Sequence, residues 1–296
     1  MNDVVFRNYT QAALDREYNN QAKHPGFDFQ GFLARCARSS EEARRRWSSN
    51  LDVPYGPSAA ERLDIFTGGP TPRPVEIFFH GGYWRMLDKK DFSYVANGLV
   101  PHGVAVAVVN YALIPAIDMD GLVAQCRSAV SWVFHNIERF GGDPTRLHLS
   151  GHSAGGHLVA MLLATEWQGS DEGLPTAIRS AAAISGIYDL EPIRLSFLNS
   201  ILQLTPRAVA DNSPVKLRPS VPAPLLVAAG EHEGEEYLRQ SNDLVAAWTT
   251  SSCRPELAVL RAADHFSIRE ELGDPDSRMV SLMMRRRGDG RGRVRT

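Results

Sequence analysis

The chain has 296 residues, 43 % hydrophobic and 22 % charged, close to globular averages; this excludes a disordered chain, a collagen-like repeat and a disulfide-dense miniprotein. Lys plus Arg number 32 against 34 Asp plus Glu, a formal charge of −2, which leaves no electrostatic footprint for nucleic acid or an anionic membrane. Cys36, Cys126 and Cys253 are far apart, without metal-ligand or redox spacing, and read as reduced, packed thiols of a cytosolic protein.

The opening MNDVVFRNYT lacks the basic start and apolar core of a signal peptide, and no apolar run is long enough to cross a bilayer. A soluble, cytoplasmic protein is expected. Residues 1–60 are polar and irregular and are expected to form an N-terminal, cap-like extension. Within it a helix is predicted near 39–47 (SSEEARRRW), with Ser40 placed to cap it and glutamates suiting the positive end of its dipole. From residue 61 to 283 the texture changes. Residues 61–66 (ERLDIF) alternate like a strand, 75–79 (VEIFF) follow a Pro-rich turn, and 104–109 (VAVAVV) are apolar on both faces, as a buried parallel strand requires. Residues 122–140 carry helical spacing and end at Gly141-Gly142. Next come a strand at 146–150, a helix at 153–167, strands at 178–185 and 224–229, a helix at 235–249 and a last strand at 256–260. Strands alternating with helices predict an α/β domain, a mostly parallel sheet covered on both faces. The stretch 190–222 has little periodicity and is expected to leave the sheet and cover a site. Residues 284–296 are expected to be a disordered basic tail, with six arginines among glycines after Met284.

Two motifs carry chemistry. Gly151-His152-Ser153-Ala154-Gly155 is a G-x-S-x-G directly after a predicted strand and at the opening of a helix. A serine at such a bend is pushed out above the sheet, and the helix aims its free N–H groups at the same spot. His80-Gly81-Gly82-Tyr83-Trp84 ends the VEIFF strand. Acyl transfer develops negative charge on a carbonyl oxygen, which fixed N–H donors stabilise; Gly81, Gly82 and Ala154 are the candidate oxyanion hole. His80 reads as a loop anchor. A serine nucleophile needs a base, and the base an orienting acid. His265, just after the last strand, is the candidate base. Glu233, in the loop after 224–229, is the candidate acid, with Glu231, Glu235 and Asp264 as alternatives. Tyr83, Trp84 and Tyr188 are candidate substrate-binding residues, and Phe197 could line the same pocket; core packing is the competing reading for the first two.

These residues resemble the α/β-hydrolase superfamily and, within it, the arylformamidase (kynurenine formamidase) group near the hormone-sensitive-lipase-like esterases. HGGYW at 80–84, GHSAGGHL at 151–158, SGIYDL at 185–190, Asn212-Ser213-Pro214 and GEHEGEEYLRQS at 230–241 carry the likeness, which spans about residues 5 to 280. The resemblance implies the α/β-hydrolase fold with a cap region. It also implies hydrolysis of N-formyl-L-kynurenine to formate and kynurenine, a step of tryptophan catabolism, without metal or organic cofactor. It puts the nucleophile on Ser153, the base on His265 and the acid on Glu233, where the family usually has aspartate. The expected partner is a small-molecule substrate, with no nucleic acid and no membrane, and a homodimer is the assembly considered. The alternative activity is that of a carboxylesterase on short acyl or aryl esters. A catalytically inactive ligand-binding member is disfavoured because serine, histidine and a loop carboxylate are all retained.

Overall fold

The computed structural model describes residues 3–69, 72–250 and 254–287. A two-stranded ribbon, β1 (Val4–Phe6) and β2 (Tyr9–Thr10), precedes the sheet strands. These are β3 (Ser48–Pro54), β4 (Arg62–Thr67), β5 (Arg73–Phe79), β6 (Ala105–Val109), β7 (Gly142–His152), β8 (Ile178–Ile184), β9 (Leu225–Gly230) and β10 (Glu256–Leu260). The sheet order is β10-β9-β8-β7-β5-β6-β4-β3. Every pairing from β10 to β6 is parallel; β4 runs against both β6 and β3. With helices on both faces, this is the α/β-hydrolase fold.

Alternation assigns each side chain to a layer. Val75, Ile77 and Phe79 of β5 and Ala105, Ala107 and Val109 of β6 join one hydrophobic cluster, with the helices Met119–Asn136, Ala154–Leu163 and Glu235–Trp248. Phe78, Val106 and Val108 point the other way, into a second cluster with Phe32 and Cys36 of the helix Phe29–Arg46 and Met279 and Met283 of the helix Arg278–Arg286. Continuous apolar strands are what burial on both faces demands.

Several expectations are corrected. The N-terminal helix runs Phe29–Arg46 and is capped by Asp28, whose side chain accepts from the Gly31 N–H. Ser40 is therefore no cap; it lies mid-helix, buried, and accepts from the Tyr94 N–H. β3 was not foreseen because SSNLDVP shows no apolar alternation. It pairs antiparallel with β4, and a charge cluster braces the irregularity in that ladder: Asp64, buried in β4, accepts from the Asp52 N–H at 2.8 Å, and Lys89 Nζ lies 2.7 Å from Asp52 and 2.8 Å from Asp64. Of the expected tail, residues 284–286 continue the last helix, and buried Arg287 pairs with buried Glu76 of β5; residues 288–296 lie outside the described residues. Cys36 and Cys126 are free, buried thiols, and Cys253 lies outside the described residues. Among the described residues no helix is long and apolar enough to cross a membrane.

Candidate active site

Ser153 sits between β7 and the helix Ala154–Leu163 with φ 59° and ψ −119°, a backbone conformation that costs an L-residue about 1–3 kcal/mol and persists only where the surroundings enforce it. The enforcement is steric and polar. The Ser153 N–H donates to Ile184 O of β8 at 2.8 Å. Gly155 packs so tightly on the end of β5 that a Cβ there would lie 1.9 Å from Phe79 O. Only glycine lets the helix approach that closely.

The three predicted triad residues come from separate elements and meet. His265 Nε2 lies 3.1 Å from Ser153 Oγ, and its Nδ1 lies 2.8 Å from Glu233 Oε2. Glu233 Oε1 accepts from Ser185 Oγ and from the Gly230 N–H, each at 2.5 Å. An acceptor-only carboxylate on Nδ1 requires a proton there, so Nε2 is free to accept from the serine hydroxyl. The alternative acids are occupied elsewhere. Glu231 accepts from the Ala262 N–H, Glu235 from the Tyr9 hydroxyl, and Asp264 from the N–H groups of Phe266 and Ser267.

Burial holds the His265 imidazole well below its ordinary range, and the charges of Lys23 and Arg269 push the same way. Burial raises the Glu233 carboxyl, against the Ser185 and Gly230 hydrogen bonds that favour its anion. A base must be neutral to accept a proton, and kcat/KM reports the free enzyme's essential groups. The sign is therefore definite: lowering pH protonates His265 only below the ordinary imidazole value of 6.5. A kcat/KM profile on an uncharged aryl ester is expected to stay flat down to that pH and to fall in more acidic buffer. An acid limb centred above neutrality would contradict the geometry.

The HGGYW loop is strained and over-determined. Gly82, Tyr83 and Trp84 are consecutive left-handed residues, with φ of 118°, 49° and 57°. Gly81 passes beside the nucleophile, where a Cβ would lie 2.8 Å from His152 O and 3.1 Å from Ser153 Cβ. Its backbone and that of Gly82 line the cavity in front of Ser153. Ala154 opens the helix, where N–H groups have no intrahelical acceptor. His80 is an anchor: its buried Nδ1 donates to Gly81 O at 2.8 Å, its ring stacks on Tyr111 at 4.2 Å, and burial lowers its pKa to about 4.

The aromatic candidates divide. Tyr83 lines the cavity, and its hydroxyl donates to Tyr18 O at 2.8 Å and meets the Tyr237 hydroxyl at 2.8 Å. Trp84 is fully buried, donating to His157 Nδ1 at 3.2 Å, and Tyr188 is fully buried with its hydroxyl on Ala183 O. Both belong to the hydrophobic core: Trp84 pins the HGGYW loop from beneath through His157, and Tyr188 packs under the turn after β8. Phe197, from the excursion after β8, lines the cavity.

The cavity has a volume of about 290 Å³ and is partly walled by residues from the first thirty, among them Asn20 and Phe29. Sequence reasoning missed Asn20 and Lys23, and it carried Tyr237 only inside the GEHEGEEYLRQS likeness. Asn20 Nδ2 donates to the Tyr237 hydroxyl at 3.0 Å. Lys23 Nζ donates to Glu17 O at 2.7 Å and to Glu233 O, and burial lowers its pKa to about 8. Ser185 was visible only inside the SGIYDL likeness. Among the described residues no group of three or more His, Cys, Asp or Glu could hold a metal ion.

A family model described as BD-FAE matches residues 63–246. The kynurenine formamidase of Danio rerio is 34 % identical over 253 residues, 83 % of this chain and 84 % of the relative. That of Salmo salar is 35 % identical over 257 residues, 84 % of this chain and 85 % of the relative. A solved candidate thioesterase from Silicibacter sp. TM1040 superposes with a TM-score of 0.80 at 31 % identity, over 92 % of this chain and 98 % of that one.

Proposed function

This chain belongs to the kynurenine formamidase family and to the BD-FAE family, and from that premise we propose that it is a serine hydrolase that removes a formyl group from an N-formylkynurenine-like aryl amide. The observation that supports this most is the pair of contacts on His265, 3.1 Å to Ser153 Oγ and 2.8 Å to Glu233 Oε2, in a chain 34–35 % identical to two kynurenine formamidases.

In this reading Ser153 Oγ attacks the formyl carbon while its proton passes to His265 Nε2. The C=O electron pair moves to oxygen, which the N–H groups of Gly81, Gly82 and Ala154 receive. Glu233 keeps the imidazolium oriented and stabilised without taking its proton. His265 then gives the proton to the aryl amine nitrogen as the C–N bond breaks, leaving a formyl ester on Ser153. Water, deprotonated by the same imidazole, releases formate and restores the hydroxyl.

The acyl group is the discriminating variable. The expected order of kcat/KM puts an N-formyl aryl amide first, with aryl acetate, butyrate and hexanoate esters falling as the acyl chain grows. A preference for butyrate or hexanoate in steady-state assays would replace the formamidase reading with that of a carboxylesterase.

A further inference from the structure

Arg269 is a buried cation with no carboxylate within ion-pair distance among the described residues; Asp91 feels its charge only at longer range. It is 4 % exposed and lies in the short helix Ser267–Glu270, four residues after His265. Its guanidinium lies 4.0 Å from the centroid of the Phe92 ring and 5.0 Å from that of Phe32. Nε donates to the Tyr94 hydroxyl at 3.1 Å and Nη2 to Asp91 O at 3.4 Å. No carboxylate among the described residues reaches ion-pair distance. Glu270 pairs with Arg35, and the Asp91 side chain instead accepts from the Asp88 N–H.

The other deeply buried cations are treated differently. Lys89 meets Asp52 and Asp64, and Arg287 meets Glu76. Taking a guanidinium out of water without an anion is costly, and cation–π contact and neutral acceptors offset only part of that cost. Arg269 also lines the same cavity as Ser153 and His265. A second cation, Arg85, lines it too; it is half-buried, its Nε is buried without a partner, and it too has no carboxylate within ion-pair distance among the described residues. The cavity wall contains no Asp or Glu. Two arginines and no acid make a low-dielectric pocket biased toward an anion, and a planar guanidinium suits a carboxylate.

We propose that Arg269, with Arg85, is the specificity-determining group that receives the substrate's carboxylate while the scissile carbonyl lies at Ser153. The inference deepens the reading given under Proposed function and rests on it for the position of the reacting carbonyl. An aryl formamide with a carboxylate side chain meets the requirement; formanilide, which has none, does not.

The test compares matched substrates that differ in one group, a ring-linked propanoate against its primary amide. They are prepared once as aryl formamides and once as aryl acetates, and assayed on the full chain. The wild type is expected to favour the carboxylate about 10–100-fold in kcat/KM, mainly through KM. In Arg269→Gln that ratio is expected to fall toward one, and in Arg269→Lys to fall part of the way. A residue that only braces the fold would lower both members of a pair together and leave the ratio intact, which would overturn the proposal. Should Arg269→Gln not fold, wild-type inhibition still decides: 3-phenylpropanoate is expected to compete and 3-phenylpropanamide to compete at least about tenfold less well, and equal inhibition would overturn the assignment. The acetate pair separates the two claims. If formamides are not hydrolysed but the carboxylate acetate is preferred, the formyl reading fails and the anion subsite stands.

Discussion

Ser153→Ala is expected to lower kcat by about 10⁵–10⁶-fold and to leave a residue of catalysis about 10³–10⁴-fold above the uncatalysed reaction. The size follows from the loss of the only atom that forms the acyl bond. The N–H groups of Gly81, Gly82 and Ala154 and the cavity itself remain, and they account for the residue. The fold is expected to survive. The Ser153 N–H still donates to Ile184 O, alanine carries the same strain as serine at φ 59°, and among the described residues the lost hydroxyl bonds only His265. Thermal unfolding of the variant should therefore match the wild type, and turnover should not. Near-wild-type hydrolysis by a folded Ser153→Ala protein would remove the mechanism.

Glu233→Gln is expected to cost about 10⁴-fold in kcat, for a reason written in its hydrogen bonds. Oε1 accepts from two donors, Ser185 Oγ and the Gly230 N–H. A glutamine must keep its carbonyl oxygen toward them, because its NH₂ cannot accept. The NH₂ is then turned to His265 Nδ1, which must become the acceptor, so the proton moves to Nε2 and the imidazole cannot take the Ser153 proton. Glu233→Asp keeps an acceptor on that side but shortens the reach. It is expected to retain more activity than the glutamine variant, and steady-state kinetics of the two side by side check the order. Equal activity of Glu233→Gln and wild type would show that the carboxylate charge and tautomer control are not used.

What the sequence made legible was whatever the chain specifies locally. VAVAVV announced a doubly buried strand, and β10 occurs at the residues read from ELAVL, because apolar runs between turn residues have few other uses. GHSAG and HGGYW were readable because strain at a bend selects glycine. The opening of the chain was opaque for the opposite reason. β3 is defined by its ladder with β4 and by Lys89 and Asp64 from elsewhere in the sequence, and the helix Phe29–Arg46 begins ten residues before its polar C-terminal half becomes conspicuous. Glu233 could be named from its loop and from the family likeness. What separates it physically from Glu231, Glu235 and Asp264, the Ser185 hydroxyl and Gly230 N–H that hold its carboxylate toward His265, comes from distant or backbone groups that no local pattern shows. For Trp84 the core-packing reading is the one the structure favours, and Tyr188, expected as a pocket residue, is fully buried, because a motif shows which loop is rigid and not which way each side chain faces. Arg269, four residues after the base in a short helix, gave no pattern at all; its meaning lies in a burial without any carboxylate at ion-pair distance among the described residues.

The central claim is that the Ser153 hydroxyl is made nucleophilic by His265. Treatment with an aryl phosphonate probe, followed by intact-mass measurement and peptide mapping, tests it directly. One phosphonyl group per chain is expected, on the peptide containing Ser153, in step with loss of activity, and His265→Ala should label far more slowly. Full inactivation with the adduct on any other residue, or labelling of Ser153 at an unchanged rate without the imidazole, would contradict it.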